Sequence, residues 1–244
     1  MTPIPLRLAL AGLSLIALPC LSDPLLWGYS PSDPPPYVQI QANELQHSLT
    51  RTLGEAVAAA VGREVRFIAT PNNRIDESLA IGRINIICNT LPEWLTTSDQ
   101  LLWTQSLYED ADVVITRRAQ SAPLSVADLH GAIVGTTLGY HYSSDITAAF
   151  DQQMVVRHDV RDLPTRLKML ERERLDAVID LRRAVTHVLP EEQTTFQISE
   201  WEVEHFYLRC AIANATDTAS QQLARQIDDM VSNGEIKQVV TRFD

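Results

Sequence analysis

Three short apolar runs, at residues 84–88, 111–116 and 132–136, restrict what this chain can fold into more than any other feature. Each has five or six residues, is rich in Val and Ile, and stops at a loop. Runs that short fit strands buried on both faces rather than helices. The first empties into the loop 89–94. The third is fed by a turn at 125–131, in which Asp128 stands three residues after Ser125 in a capping-box spacing, and it stops at a glycine loop, 137–140.

The flanks extend the pattern. Residues 27–30 read as a strand, and the prolines of 31–36 keep the next stretch extended and irregular. Leu45, Leu49, Leu53 and Val57 recur every fourth residue, which predicts a helix over 44–61 that Gly62 stops. A strand over 64–70 follows. Asn73 can cap a helix through Ala80, with Asp76 in its first turn and Gly82 at its end. Strand, helix, strand, helix, strand is the rhythm of a parallel sheet with right-handed crossovers. A second, smaller unit repeats it: strands at 132–136, 154–158 and 177–180, with helices near 143–151 and 163–173. After a helix through Val188 come two β-rich runs, 196–203 and 206–213. The chain closes with a helix over 219–231, carrying Leu223, Ile227 and Val231 on one face, and a short last helix. The fold class is α/β.

With 244 residues, of which 45% are hydrophobic, the chain can form two lobes or one large domain with a packed core. Its 31 acids against 20 bases give a net charge of −11, which argues against nucleic acid or an anionic membrane as partner. Residues 1–22 have the layout of a secretory leader: Arg7, then an apolar run at 8–18 broken only by Gly12 and Ser14, then small and polar residues. The run is too short to span a bilayer, which takes about 20 apolar residues. Cleavage after Ser22 would release a soluble periplasmic protein. Cys20 admits a lipoprotein reading, but Pro19 beside it makes a poor approach to a lipidated cysteine. If Cys20 leaves with the leader, Cys88 and Cys210 remain. An oxidising compartment favours a bridge between them, with metal ligation as the weaker alternative.

The segment S-V-A-D-L-H-G-A-I-V-G-T-T-L-G resembles the D-L-x-G-x-x-V-G-x-x-x-G motif of the family 3 periplasmic solute-binding proteins, the receptors for polar amino acids. L-P-E-W stands where that family usually has T-x-E-R. The resemblance implies a two-lobed, type II periplasmic binding protein fold, each lobe a parallel-rich sheet flanked by helices. Residues 23–116 would begin lobe one, 117–189 would form lobe two, and 190–244 would return to a discontinuous lobe one. Cys88 and Cys210 would then share a lobe. It also implies a receptor, not an enzyme, that closes by hinge motion over a small polar solute, anionic or carboxylate-bearing. Its partner would be an inner-membrane ABC permease or a sensor protein. No cofactor is implied, and the protein would be a monomer.

Ligands in open α/β sheets gather beyond the carboxyl ends of strands. Five loops meet that rule: 34–37, 71–74, 89–94, 136–142 and 180–183. They supply Tyr37, Arg74, Thr90, Trp94, Thr137, Gly139, Tyr140, Tyr142 and Asp180 as candidate ligand-binding residues. Backbone N–H groups at 137–142, ahead of a helix, can hold an anion, and Tyr140, His141 and Tyr142 can wall a cleft; an ordinary tight turn with surface aromatics is the plain alternative. Trp94 replaces the arginine that clamps the amino-acid carboxylate in the resembling family. It can stack on a ligand, or fill a disused site. Arg74 can take over the clamp or be a solvated arginine at a helix start. In D-A-V-I-D-L, Asp180 comes one residue before the position where the family holds the ligand's ammonium, and Leu181 occupies that position. One step along a strand reverses a side chain's face. Asp176 reads as structural, at the strand start.

The six histidines form no metal-binding spacing, and no catalytic or nucleotide-binding motif appears. Two further functions stay open: a sensory or interaction module whose cleft has degenerated, and an enzyme like the cyclohexadienyl dehydratases, with Glu93 as the acid and Arg74 as a clamp.

Overall fold

The computed structural model describes residues 23–189 and 195–243. The leader segment of the sequence reading therefore lies outside the described residues. In chain order the elements are β1 (Leu25–Tyr29), β2 (Ile40–Gln41), β3 (Glu44–Leu45), α1 (Leu49–Ala60), β4 (Val65–Ala69), α2 (Ile75–Ala80), β5 (Ile86–Thr90), β6 (Leu102–Trp103) and β7 (Tyr108–Arg117). Then follow β8 (Ile133–Thr137), α3 (Ser144–Asp151), β9 (Val156–Val160), α4 (Leu163–Glu171), β10 (Ala177–Leu181), α5 (Arg182–Val188), β11 (Phe196–Ile212), α6 (Thr218–Ser232) and α7 (Glu235–Val240).

Nine strands join in the order β4-β1-β5-β11-β7-β10-β8-β9, with β6 added on β11. On one side, β1 runs parallel to β4 and β5. On the other, β8 runs parallel to β9 and β10. The two parallel units are the strand–helix rhythms of the sequence. β7 and β11, antiparallel to each other, join them: β11 pairs with β7 from Phe196 to Leu208 and with β5 from Arg209 to Ile212. The result is two lobes joined through a two-stranded ribbon.

The two β-rich runs at 196–203 and 206–213 are one strand, not two. Glu204 and His205, the polar pair that separates them in sequence, pair in register with Asp112 and Ala111; the strand's register shifts fall earlier, between Ile198 and Glu202 and between Glu202 and Glu204. A second correction concerns the first helix. Leu45 does not open it: Glu44–Leu45 pairs with Ile40–Gln41, and α1 begins after Ser48, whose side chain accepts from the Arg51 N–H. Leu49, Leu53 and Val57 then bury one face of α1, as their spacing predicts.

The buried core runs through both lobes, from Leu25, Trp27 and Ile86 to Val113, Val178 and Leu167. Behind the glycine loop a smaller cluster of Val114, Val134, Ile146 and Ile179 supports α3. Cys88 of β5 and Cys210 of β11 form the disulfide, buried in the first lobe.

Candidate functional site

Between the lobes lies a cavity of about 50 Å³, with Gly28, Tyr29, Ser30, Asp33, Thr90 and Trp94 on the first-lobe side. Gly139, Tyr140 and His141 close it from the second lobe. A single water needs roughly 10–15 Å³ of such volume, so this space admits a few waters and no amino-acid-sized solute. Side chains fill the rest. Trp94 packs edge-on against Tyr140, ring centroids 5.4 Å apart, and against Phe206 of β11 at 5.2 Å. Tyr140 stands 5.0 Å from Tyr142, over which the Arg157 guanidinium lies at 5.4 Å. The aromatic contact between Trp94 and Tyr140 thus crosses from one lobe to the other.

Local sequence explains these placements. Pro92 starts a single 3₁₀ turn, Pro92–Trp94, at the end of β5 and turns Trp94 toward the second lobe. Gly139 takes φ of +74°, which a side chain would strain, and so lets the chain turn sharply out of β8 and present Tyr140. Asn89 also takes a left-handed conformation, φ +58°. Its amide donates to Thr50 Oγ1 at 3.0 Å, and its carbonyl oxygen accepts from the Tyr108 hydroxyl, which ties α1, β5 and β7 together at the cleft.

The expected anion site at 137–142 is engaged internally. The Thr137 N–H donates to the Tyr142 hydroxyl at 2.8 Å, and the Tyr140 N–H donates to the Thr137 carbonyl. Thr137 Oγ1 accepts from Arg166 Nη1 at 2.6 Å.

Of the candidate residues, Thr90, Trp94, Gly139 and Tyr140 line the cavity. Tyr142 backs Tyr140 from behind. Tyr37 is buried below the cleft, its hydroxyl donating to the Asp110 carboxylate. Arg74 is exposed and does not line the cavity; its neighbours Asn72 and Ile75 do. Asp180 does not line it either. Buried, it pairs with Arg166 Nη2 at 2.5 Å and accepts from its own following N–H. Leu181, its successor, packs in the core.

Around this pair the structure gathers acids that the sequence reading did not single out. Asp110 accepts from the backbone N–H groups of Ala111 and Arg183. Burial holds it above the usual carboxylate range despite these bonds. Asp112 is fully buried; burial first, then the neighbouring Asp180, Glu204 and Asp110, raise it well above that range. Its Oδ1 accepts from the Tyr140 hydroxyl at 3.3 Å, and its Oδ2 has no partner among the described residues. Burial outweighs the Arg166 charge and holds Asp180 up as well. Asp33, on the cavity wall, is pushed up to about 7 by burial, against its bond to Ser30. Four carboxyl groups thus meet two guanidinium groups, of Arg166 and Arg183, at the lobe junction. Aspartates in the apolar strand 111–116 and at its edge, and an arginine on the apolar stripe Leu163–Leu167–Leu170, are the signals that could have found Asp110, Asp112 and Arg166.

Solved structures share this fold. An ancestral arginine-binding protein bound to arginine superposes with a TM-score of 0.76 over 91% of this chain and 99% of its own, at 16% identity. The chain has the two-lobed solute-binding fold. The GluR0 ligand-binding core with L-glutamate matches with a TM-score of 0.74 over 91% of this chain and 98% of its own, at 14% identity. A Salmonella typhimurium periplasmic binding protein of high arginine specificity matches at 0.69 over 91% and 99%, with 19% identity. These likenesses agree with the resemblance to family 3 solute-binding proteins read from the sequence. No protein-family model and no curated protein sequence matches the chain.

Proposed function

We propose that this protein is a periplasmic solute receptor whose lobes close over a small polar molecule bearing a positively charged amino or guanidino group. One observation carries the reading: Asp33, Asp110, Asp112 and Asp180 converge where the lobes meet, beside the aromatic wall of Trp94 and Tyr140. An incoming cation gains from buried carboxylates and from indole and phenol faces together. An isolated anion gains neither of these partners, and the Thr137 backbone N–H is already engaged. A carboxylate is therefore compatible with the cleft only alongside a positive group in the same solute. This revises the anionic ligand expected from the loop alone. The solved neighbours include arginine-binding and glutamate-binding proteins, so the scaffold accommodates either charge.

Closure works through the ribbon of β7 and β11, the two strands that pair across the lobe junction. Admission of a solute requires the Trp94–Tyr140 contact to part, because the present cavity is far below the roughly 300 Å³ of a ligand pocket. Delivery to an ABC permease or a sensor is the role such a closed form would serve. The dehydratase reading loses its supports, since Glu93 and Arg74 are both exposed and neither lines the cavity. A second reading is favoured by the small cavity itself: a sensory or interaction module whose own aromatics occupy the cleft.

A thermal-shift screen of small solutes separates the two. The receptor reading expects L-arginine or another cationic solute to raise Tm by several degrees at millimolar concentration, and anionic solutes to leave it unchanged. No shift with any solute supports the degenerate cleft. A shift with dicarboxylates alone contradicts the charge assignment.

A further inference from the structure

Among the described residues, Asp112 is the one carboxyl group of the junction that is fully buried and still has an acceptor without a partner. Its side chain is 0% exposed, and Oδ2 lacks a partner among the described residues. Asp180 is matched by Arg166, and Asp110 by Tyr37 and two backbone N–H groups. Asp33 has a hydroxyl, of Ser30. Asp112 has only the Tyr140 hydroxyl, on its other oxygen. Tyr140 also lines the cavity, so a single side chain touches both the cavity and this acid.

Resting on the receptor reading above, we propose that Asp112 is the anchor for the solute's positive group, which reaches it by displacing Tyr140. A buried acceptor without a donor is costly, and a buried charge without a countercharge costs more. A cationic group supplies both donor and countercharge. Asp180, where the resemblance places an ammonium contact, already has Arg166 in that role.

The exchange has a proton balance. The groups facing Asp112 are Asp110 on its own strand, Asp180 on β10, Glu204 on β11, and Tyr140 and Tyr142 after β8; the Arg166 guanidinium pairs with Asp180 beside it. Burial first, and then the three carboxyls, favour the neutral acid, and the Tyr140 hydroxyl opposes them. The empty cleft accordingly holds the proton on Asp112 to higher pH than an ordinary carboxyl does, and a bound cation favours its loss. The O–H bond of its carboxyl breaks, the proton leaves to solvent, and an ion pair takes its place. Because the empty form holds the proton, affinity rises with pH until the free acid itself ionises.

Isothermal titration calorimetry with L-arginine, agmatine and L-glutamate as probes, in buffers of different ionisation enthalpy, tests this on the full mature chain. The expected result is release of about one proton for each cationic molecule bound. Asp112→Asn should abolish that release and weaken binding by at least about tenfold. Tyr140→Phe should keep the release and move the pH midpoint of affinity upward, since the hydroxyl that favours the ionised acid is gone. Should Asp112→Asn fail to fold, the Tyr140→Phe pH profile decides alone: an unmoved midpoint overturns the proposal. Unchanged affinity or unchanged proton release in Asp112→Asn also overturns it while leaving a receptor. Binding of glutamate alone overturns it likewise. No binding by any probe removes both the anchor and the receptor reading.

Discussion

At the scale of single residues, the centre of the account is a buried ion pair. Arg166 is 0% exposed and holds both Thr137 and Asp180, so it connects α4, β8 and β10 behind the cleft. Such a pair need not add net stability, but removing one partner strands the other. Arg166→Met should cost about 3–5 kcal/mol in urea unfolding, and adding Asp180→Asn should restore most of it. A cost under about 1 kcal/mol would show that Asp180 does not depend on the guanidinium. Neither Arg166 nor Asp112 was singled out from sequence. Charged residues inside apolar patterns are ambiguous there, since partners far along the chain decide whether they are errors of pattern or paired groups. Trp94 and Tyr140 were legible because each stands in a loop at a strand's carboxyl end, where the rule for α/β sheets points.

At the scale of elements, the strand–helix rhythm was readable because parallel strands buried on both faces give short, continuous apolar runs. Most boundaries shift by no more than three residues, as capping and fraying allow, while α1 starts five residues later than expected. The larger error, splitting β11, has a physical cause: Glu204 and His205 carry the polar composition of a loop, yet they pair in register with Asp112 and Ala111 and keep the strand continuous. The disulfide fastens this strand to β5 across 122 residues of chain. Replacing Cys88 and Cys210 together by Ala should destabilise by about 3–5 kcal/mol, read from the urea midpoint at unchanged slope. Equal stability of the two forms would mean that the lobe is held by its core alone. Because the bridge lies within the first lobe, the loss should appear in unfolding and not in the motion of the second lobe.

At the scale of the molecule, the chain combines a recognisable scaffold with an unusual junction. The glycine loop and the two parallel units were legible as a two-lobed fold, and the solved neighbours bear this out. The charge of the cleft was not legible. It is made by residues from the proline-rich loop, β7, β10 and α4, which are brought together only when the lobes fold and meet. Local reading of the 137–142 loop pointed instead to an anion, because a sequence shows free N–H groups but not the tyrosine that occupies one of them. The central claim is that the cleft selects positive charge. Native mass spectrometry of the protein, offered an equimolar mixture of cationic, neutral and anionic small solutes, tests this. One retained adduct with the mass of a cationic solute, absent from Asp112→Asn, is expected; retention of an anionic solute, or of none, would contradict this selectivity.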